Sequence, residues 1–440
     1  MVFGRRMKFF VGLALSLLVA ACGGGSSAPS GSASCDLASQ KNWLRSYMLD
    51  WYFWTGVSPN PEPDGYATLR DYLDALRYAN YPGRGLEPWS GFQDSASYNQ
   101  FFTEGRTMGY GLFVNGIERQ LPLMVRMVEP LSPAGLAGLQ RGDVIKAIDG
   151  VADSVLINGD FAVLNPAAAG QQITVDIERA GVPQRVTLTA AQYSLTPVPA
   201  SATLTAGSAK VGYVALKDFI TQAEAELTSR LSAIRADGAS DLIVDLRYNG
   251  GGRISTANHF ASQIVGALHG GKVFTTLNYN AAHQSSNNSF TLTTAPAPAF
   301  GRVVVLTGPR SCSASELLVN GLRPYAQQVV TIGATSCGKP YGFNPVASCE
   351  NTFSIVNFRA VNALGLADYD AGITPTCAVA EDFSGALGDP GEKLTAAALG
   401  YLQTGSCPAA AAASERPTAL DARRRSLLLE PGERRGMTAD

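Results

Sequence analysis

The segment 303–343 constrains the fold more than any other part of the chain, because it alternates two buried-strand patterns with one helical pattern. Residues 303–306 and 329–332 are short apolar runs of the kind that form buried strands. Between them, a Gly-Pro pair at 308–309 ends the first strand, and residues 316–322 begin a helical pattern. The order of strand, turn, helix, strand and loop predicts an α/β unit whose last loop returns to the turn that precedes the helix.

A serine and a lysine occupy the two loops of this unit. Ser313 lies where the predicted helix starts, and the free N–H groups and positive dipole end of a helix stabilise an oxyanion there. Lys339 follows 26 residues later, after one helix and one strand. A serine-rich turn before a helix also serves as an ordinary N-cap. The segment alone therefore leaves a nucleophile and a structural cap as alternatives.

The first residues predict export and lipid attachment. Basic residues within 5–8 precede the apolar run 9–19, which is too short to span a bilayer, so residues 1–21 are predicted to be a cleaved signal. Cys22 directly follows small residues, which resembles a bacterial lipobox and implies that Cys22 is lipidated. Because Gly23 after it resembles outer-membrane sorting, we expect a lipid-anchored protein in the bacterial periplasm.

Cysteine count and charge narrow the possible classes further. Six cysteines remain after Cys22, and an even number in an exported chain suggests three disulfides, whose pairing the sequence leaves open. A bridge from Cys312 or Cys337 would brace Ser313 and Lys339. No CxxC pair occurs and the histidines lack ligand spacing, so we predict no metal and no cofactor. A net charge of −2 gives no basic surplus for a nucleic-acid partner.

Shifts in composition divide the mature chain into parts. We predict a Gly- and Ser-rich tether over 22–34, a helical domain over 35–106, a second domain over 107–195, an α/β core over 196–407 and a disordered Ala- and Arg-rich tail over 408–440. Within the core, the Asn-, Ser- and Thr-rich residues 270–298 are interpreted as a surface excursion.

The second domain resembles a PDZ domain. The match covers residues 132–150, which read as a short helix, a Gly-Asp turn and a strand, and it is followed by a predicted hairpin over 172–189. The resemblance implies that an extended peptide binds by strand addition, with a backbone nest for its carboxylate. By position, Tyr110, Gly111 and Leu112 would form that nest.

Further motifs occur in an order that resembles one enzyme family. They are Asp-Leu-Arg-Tyr-Asn-Gly-Gly-Gly at 245–252, Ser-Ala-Ser-Glu at 313–316, Ser-Cys-Gly-Lys at 336–339, Gly-Ile-Thr-Pro at 372–375 and Gly-Asp-Pro at 388–390. The set resembles the C-terminal processing peptidases, also called tail-specific proteases, over about residues 35–406. The resemblance implies an α/β chain of several domains, broadly α+β. An N-terminal helical segment and a PDZ domain would precede an α/β peptidase core built on a β-sheet with flanking helices.

The same resemblance implies roles for individual residues. Ser313 falls on the nucleophile and Lys339 on the general base of a Ser–Lys dyad, while the N–H groups of Ala314 and Gly251 fall on the oxyanion hole. A lysine acts as a base near neutral pH only if burial lowers its pKa from about 10.4 by several units. The implied substrates are proteins that are unfolded or that expose their C-terminal ends.

Two departures from the family pattern leave alternatives. Some members carry a glutamine four residues after the lysine, where this chain has Phe343, so we expect Ser336 or Glu316 to orient Lys339 instead. The spacing from Ser313 to Lys339 is also one residue longer than usual, which the loop 324–328 would absorb. A catalytically weak or inactive scaffold that binds peptide tails is one alternative function.

A second alternative is a Ser-His-Asp hydrolase that uses one of the chain's histidines. His259 and His283 are the candidates for its base. No G-x-S-x-G elbow surrounds Ser313, however, which argues against this class.

Overall fold

The computed structural model describes residues 1, 31–32, 34–159, 161–409 and 436–439. The predicted signal sequence beyond Met1, the lipidation residue Cys22, most of the tether and most of the tail lie outside the described residues. Among the helices that are described, none combines the length and the apolar character that crossing a membrane would require.

The secondary-structure elements are numbered in chain order. The helices are α1 Leu37–Trp51, α2 Leu69–Leu76, α3 Ser95–Phe102, α4 Pro133–Leu136, α5 Asp153–Leu156, α6 Gln222–Ala236, α7 Ile254–Val265, α8 Ala314–Leu322 and α9 Lys393–Thr404. The first strands are β1 Gly91–Asp94, β2 Arg106–Gly109, β3 Leu112–Val114, β4 Val125–Val128, β5 Val144–Ile148, β6 Val151–Ala152, β7 Gln172–Arg179, β8 Val182–Thr189 and β9 Ala191–Ser194. The later strands are β10 Ala200–Ala206, β11 Ala209–Ala215, β12 Asp241–Asp245, β13 Gly251–Arg253, β14 Val273–Tyr279, β15 Asn288–Thr291, β16 Arg302–Thr307, β17 Gln328–Gly333, β18 Tyr341–Gly342, β19 Val346–Ser348, β20 Asn351–Ser354, β21 Phe358–Val361, β22 Cys377–Ala378 and β23 Gly436–Thr438.

A six-stranded sheet forms the centre of the α/β core, in the order β10-β11-β12-β16-β17-β22. Only β10 runs antiparallel to its neighbour, and the other pairs are parallel. Alternate residues of β16 face opposite sides, so Val303 and Val305 pack against α6, α7 and α8, while Val304 and Leu306 pack against α9. Helices on both faces explain why these strands are continuously apolar. The predicted α/β fold class is confirmed.

The sheet topology places three loops side by side. Because β12, β16 and β17 are parallel neighbours, their carboxyl ends meet at one edge of the sheet. The glycine-rich turn follows β12, the turn with Ser313 follows β16, and the loop with Lys339 follows β17. Ligands of open α/β sheets bind at such an edge.

The interpretation of residues 270–298 as a surface excursion is wrong for β14. This strand lies in a four-stranded sheet of order β15-β14-β21-β18, and Phe274 and Leu277 are fully buried in the main core. A register shift between Val273 and Thr275 interrupts the alternation of polar and apolar residues. Threonine is also a good strand former, so the polar composition concealed a strand.

The N-terminal residues pack against the core through aromatic side chains. Leu44, Tyr47 and Met48 of α1 lie in one cluster that also contains Cys312 and Tyr341 from the core. The aromatic stripe of α1 thus contributes to a shared core that reaches the loops at the end of the sheet. Strand β1 pairs with β20, which adds a backbone connection between the two regions.

Residues 106–194 form their own small core. A four-stranded sheet of order β6-β5-β7-β8 and the pairs β3-β4 and β2-β9 enclose it, and the β7–β8 hairpin turns at Ala180 and Gly181. Tyr110 and Leu112 are buried in this core, and Gly111 lies between them at a positive φ of 69°. The assignment of this unit as a PDZ domain remains a prediction.

The prediction of disorder over 408–440 is wrong at β23, Gly436–Thr438. This strand pairs in parallel with β13, and the side chain of Met437 is fully buried in the main core. Three residues in an arginine-rich sequence carry no periodicity, so local pattern could not reveal a strand whose partners lie nearly two hundred residues earlier.

Candidate active site

The turn between β16 and α8 holds Ser313 in a conformation that is rare for a residue with a side chain. Its backbone lies at φ 60° and ψ −110°, and such strain clusters at functional sites. Its hydroxyl is buried and has no hydrogen-bond partner among the described residues. Ala314 is the first residue of α8, where a backbone N–H lacks a carbonyl partner within the helix. The turn therefore presents a buried hydroxyl next to the positive end of a helix.

The turn after β12 is held against the Ser313 turn by Asn249. The carbonyl oxygen of Asn249 accepts hydrogen bonds from Cys312 N at 3.0 Å and from Ser315 Oγ at 2.9 Å. Its side-chain Oδ1 accepts a hydrogen bond from Gly251 N at 2.8 Å. The N–H of Gly251, the predicted oxyanion donor, is therefore hydrogen-bonded within its own turn. To serve as that donor, it must release Asn249 Oδ1 and bind a substrate oxygen instead.

Glycine is required in this turn for steric reasons. Gly252 has φ 136°, and a Cβ built on it would lie 2.1 Å from the carbonyl oxygen of Phe219. The backbone of β13 can therefore run close to its neighbours only because side chains are absent.

Lys339 is fully buried among aromatic rings. Its Nζ lies 4.7 Å from the ring centroid of Phe343 and 5.4 Å from that of Trp89. Phe343, four residues after the lysine in the chain, thus contacts its side chain. Trp89 comes from the N-terminal region, so that region contributes a wall of the site.

The carboxylate of Glu316 joins the two predicted catalytic residues. Its Oε2 accepts hydrogen bonds from Ser313 N at 2.9 Å and from Lys339 N at 2.8 Å, and its Oε1 accepts one from Gly338 N at 2.7 Å. The Ser336 hydroxyl also donates to Oε1 and accepts a hydrogen bond from Ile373 N at 2.6 Å. One buried side chain therefore fixes the backbone on both sides of the site.

The ionisation of Glu316 reflects two opposing effects. Burial raises its pKa above the ordinary value, and the hydrogen bonds from Ser336, Lys339, Gly338 and Ser313 oppose that rise. All of these groups act as donors toward Glu316, so the bonds described are those that an ionised carboxylate accepts.

A disulfide reinforces the same connection. Cys312 and Cys337 are bonded, with a Cα–Cα distance of 5.1 Å. This pairing is one of three, together with Cys35–Cys349 and Cys377–Cys407, as the cysteine count predicts. The sulfur atoms of Cys312 and Cys337 lie near the Glu316 carboxylate, but because they are bonded to each other they do not form a metal-ligand set.

Sequence reasoning missed two contributors to the site from the N-terminal region, Trp89 and Arg84. The guanidinium of Arg84 lies 4.7 Å from the Trp89 ring centroid and donates to the carbonyl oxygen of Cys337 at 2.6 Å. No local pattern signals contacts across some 250 residues. Asn249 was also missed, although it lies within a motif that the sequence analysis identified.

The histidines that a Ser-His-Asp hydrolase would need are engaged elsewhere. His259 contacts Thr228 Oγ1 at 2.9 Å, on the face between α6 and α7. His283 contacts Asp50 Oδ1 at 2.7 Å and stacks on Trp51. Each has its ring nitrogen committed to a partner outside the Ser313 turn.

The predicted nest residues Tyr110, Gly111 and Leu112 belong to the 106–194 unit. The carbonyl oxygen of Gly111 accepts a hydrogen bond from Glu129 N at 3.0 Å, and a Cβ on Gly111 would meet the Ser132 side chain at 2.1 Å. Tyr110 and Gly111 therefore form a tight turn between β2 and β3, and Leu112 begins β3.

The 106–194 unit also contacts the loops of the candidate site. Glu118 forms an ion pair with Arg310, which lies three residues before Ser313. Arg141 contacts the hydroxyl of Tyr248, which adjoins the glycine-rich turn. This unit therefore contacts residues next to both turns.

Comparison with known proteins places this architecture in a family. Residues 210–377 match the model of peptidase family S41, and residues 39–91 match the peptidase S41 N-terminal domain. Two curated proteins named carboxyl-terminal-processing protease are similar, one from Synechocystis sp. at 32% identity over 244 residues and one from Picosynechococcus sp. at 28% over 245 residues. Each alignment covers 54% of this chain and 55% of the relative, so the chain spans about half the length of the curated relatives it matches.

A solved structure shows the same fold over most of the chain. A Bacteroides fragilis protein described as an S41 protease superposes with a TM-score of 0.67, covering 82% of this chain and 97% of its own, at 22% sequence identity. The two matched domains, the similar processing proteases and this shared fold agree with the motif order. The chain belongs to peptidase family S41.

Proposed function

We propose that the chain is a serine endopeptidase that uses a Ser–Lys dyad to hydrolyse peptide bonds in proteins that are unfolded or that expose their C-terminal ends. The observation that carries the proposal is the Glu316 carboxylate, which binds the backbone N–H groups of both Ser313 and Lys339. A purely structural N-cap would not require a buried lysine to be held against the same carboxylate.

In the proposed first step, the neutral amine of Lys339 takes the proton of the Ser313 hydroxyl as Oγ attacks the substrate carbonyl carbon. The resulting tetrahedral oxyanion collapses, and the Lys339 ammonium returns its proton to the leaving amine. Water then attacks the acyl-enzyme by the same route, which restores the Ser313 hydroxyl and releases the carboxyl product.

The proposed oxyanion hole uses backbone donors. The first donor is the Ala314 N–H, which lies at the start of α8 and has no carbonyl partner within the helix. Each well-placed donor stabilises a transition state by roughly 3–4 kcal/mol. The Gly251 N–H would become the second donor when a substrate oxygen replaces Asn249 Oδ1.

The surroundings of Lys339 support its role as a base. Burial among the rings of Phe343 and Trp89 disfavours a charged ammonium, because few waters can solvate it. The proposed mechanism requires the neutral amine, and burial away from water is the environment that favours this form of a lysine.

The proposal extends to location and substrate capture. A lipid on Cys22 would tether the enzyme in the periplasm, at the outer membrane, and the 106–194 unit would act as a PDZ domain that binds peptide tails or gates the site. The contacts of Glu118 with Arg310 and of Arg141 with Tyr248 support gating, since they connect this unit to both turns of the site.

Cleavage of denatured casein by the purified full chain tests the proposed chemistry. We expect Ser313→Ala and Lys339→Met each to lower kcat/KM by at least about a thousandfold, because removing a dyad member removes the step itself. The controls are Ser285→Ala and Lys272→Met, both at exposed positions, and circular dichroism reports folding. Activity that survives Lys339→Met would place the base elsewhere.

A further inference from the structure

The strand β23, Gly436–Thr438, occupies a gap between two backbone edges of the candidate site, and we call it the tail strand. On one side it pairs in parallel with β13, with Gly436 opposite Gly251 and Met437 opposite Gly252. On the other side, Phe343 N donates to the carbonyl oxygen of Met437 at 3.0 Å, and Ala439 N donates to the carbonyl oxygen of Phe343 at 3.2 Å. The segment is therefore hydrogen-bonded along both edges.

Both edges belong to the proposed catalytic machinery. Strand β13 begins at Gly251, whose N–H is the proposed second oxyanion donor. Phe343 carries the ring that lies 4.7 Å from Lys339 Nζ. Without the tail strand, two unpaired edges would face each other across a gap one strand wide. Such a gap accepts an extended peptide by strand addition.

A single side chain anchors the tail strand. Met437 is fully buried in the main core, which also contains residues of α7 and α8. Its carbonyl oxygen passes so near Gly342 that a Cβ there would lie 2.7 Å away. Gly436 lies beside β13, where the glycine-rich backbone leaves room for close approach. This position thus holds an apolar side chain that follows a small residue.

We propose that the tail strand is an intramolecular inhibitor, which fills the peptide-binding cleft until a substrate displaces it. This inference rests on the proposed peptidase function. A segment joined covalently to the core competes at an effective concentration on the order of millimolar, so even a weak strand can keep the cleft filled. Substrates able to displace it would be extended segments that offer a Met-like side chain after a small residue.

The first test compares kcat/KM for casein cleavage. A chain that ends at Glu430 and the variant Met437→Asp should each be at least about tenfold more active than the unaltered chain, because both vacate the cleft. Met437→Leu keeps an apolar side chain of similar volume, and Ser426→Asp adds the same charge elsewhere in the tail, so both should stay near the unaltered activity. Equal activity in all five chains would overturn the proposal.

The second test measures binding without catalysis, in a Ser313→Ala background. A fluorescein-labelled peptide of residues 434–440, Arg-Arg-Gly-Met-Thr-Ala-Asp, is titrated while its anisotropy is recorded. It should bind the chain that ends at Glu430 and fail to bind the full chain, whose cleft is filled. The same peptide with Asp in place of Met should bind neither. Equal binding to both chains, or binding to neither, would contradict the inference.

The two tests separate this inference from the proposed function. If no chain cleaves casein but the peptide binds only after the tail is removed, the tail occupies the cleft and the peptidase proposal fails. Intact-mass spectrometry adds a further criterion. Loss of the tail from the unaltered chain, and not from Ser313→Ala, would overturn inhibition, because the segment would then be a substrate that the enzyme removes.

Discussion

At the scale of single residues, Phe343 shows how this chain differs from relatives that carry a glutamine after the lysine. Its ring contacts Lys339 Nζ at 4.7 Å, while the lysine backbone is held by Glu316. Glu316 thus positions the Lys339 backbone, while the Phe343 ring shields the Lys339 amine from water. A glutamine would add a polar partner for the amine, whereas the ring excludes water from it.

Replacing this ring should change the pH dependence of catalysis. In Phe343→Ala, water enters the vacated space and stabilises the ammonium form, so the acid limb of the pH–rate profile should move to higher pH. We expect kcat near neutral pH to fall about tenfold, which corresponds to a displacement of the acid limb by about one pH unit. Phe343→Leu keeps an apolar wall and should move the profile less. The measurement is kcat for casein cleavage between pH 5 and about pH 10.

Phe353→Ala serves as the control for loss of a buried ring. Phe353 packs against Trp43 and Phe92, and its loss should lower stability by about 3–5 kcal/mol without moving the pH profile. If both alanine variants lower activity equally and leave the profile unmoved, the ring of Phe343 has only a packing role.

The residues of the site were predictable from the sequence to the extent that short motifs contain them. Ser313, Glu316, Ser336 and Lys339 all lie in such motifs. In the structure, the Glu316 carboxylate accepts hydrogen bonds from the backbone N–H groups of Ser313 and Lys339 and from the Ser336 hydroxyl. Trp89 lies outside any motif. Its contact with the lysine depends on how the N-terminal region packs, so the sequence pattern could not reveal it. The engagement of the Gly251 N–H by Asn249 depends on turn geometry, which the sequence does not specify.

At the scale of elements, the Cys312–Cys337 disulfide joins the Ser313 turn to the Lys339 loop across α8 and β17. Glu316 makes the same connection through hydrogen bonds, so the disulfide should add rigidity without being essential to the fold. We expect Cys312→Ser/Cys337→Ser to fold and to lose about tenfold in kcat/KM for casein, because small misplacements of catalytic groups are costly.

The Cys377–Cys407 pair offers a matched control. Its sequence separation of 30 is close to the 25 of the first pair, so each bridge should contribute about 3 kcal/mol to the free energy of unfolding. Cys377→Ser/Cys407→Ser should therefore lower stability to a similar degree and retain activity. Equal losses of activity in the two variants would show that stability alone, not bracing of the site, is responsible.

Elements with uniform apolar patterns were well predicted, and elements with mixed composition were not. The strand predicted at 303–306 is observed as Arg302–Thr307, and the helical pattern at 316–322 as Ala314–Leu322. Nearly all residues of both elements are buried, which is what their uniformly apolar patterns predict. Strand β14 contains threonine and asparagine, and its register shift breaks the pattern on which the prediction depends.

At the scale of the whole molecule, a buried charge network connects the 106–194 unit, the central sheet and α9. Arg247 at the end of β12 binds Asp245, Glu381 and Glu392, and Arg141 from the 106–194 unit also contacts Glu381. The sequence places Arg247 and Asp245 in one motif but does not indicate the partners Glu381 and Glu392, which lie more than a hundred residues away. Long-range ion pairs of this kind require the tertiary structure.

This network should make stability depend on acid pH. Burial alone would raise the pKa of Glu392, but the hydrogen bonds and charge of Arg247 lower it from 4.5 to about 2. A lowered pKa means that the ionised form stabilises the folded state above the unfolded-state pKa near 4.5, and that this stabilisation is lost as pH falls toward 2. The contribution at neutral pH is on the order of 2–3 kcal/mol.

Glu392→Gln isolates this contribution, because glutamine resembles the protonated side chain. At pH 7 the variant should unfold in urea with a free energy lower by about 2 kcal/mol, and the difference from the unaltered chain should shrink below about pH 4.5 and vanish near pH 2. Glu104→Gln, at an exposed position, should match the unaltered chain at every pH. A difference that stayed constant with pH would mean that glutamine disrupts packing, and that the charge on Glu392 does not stabilise the junction between the three parts of the molecule.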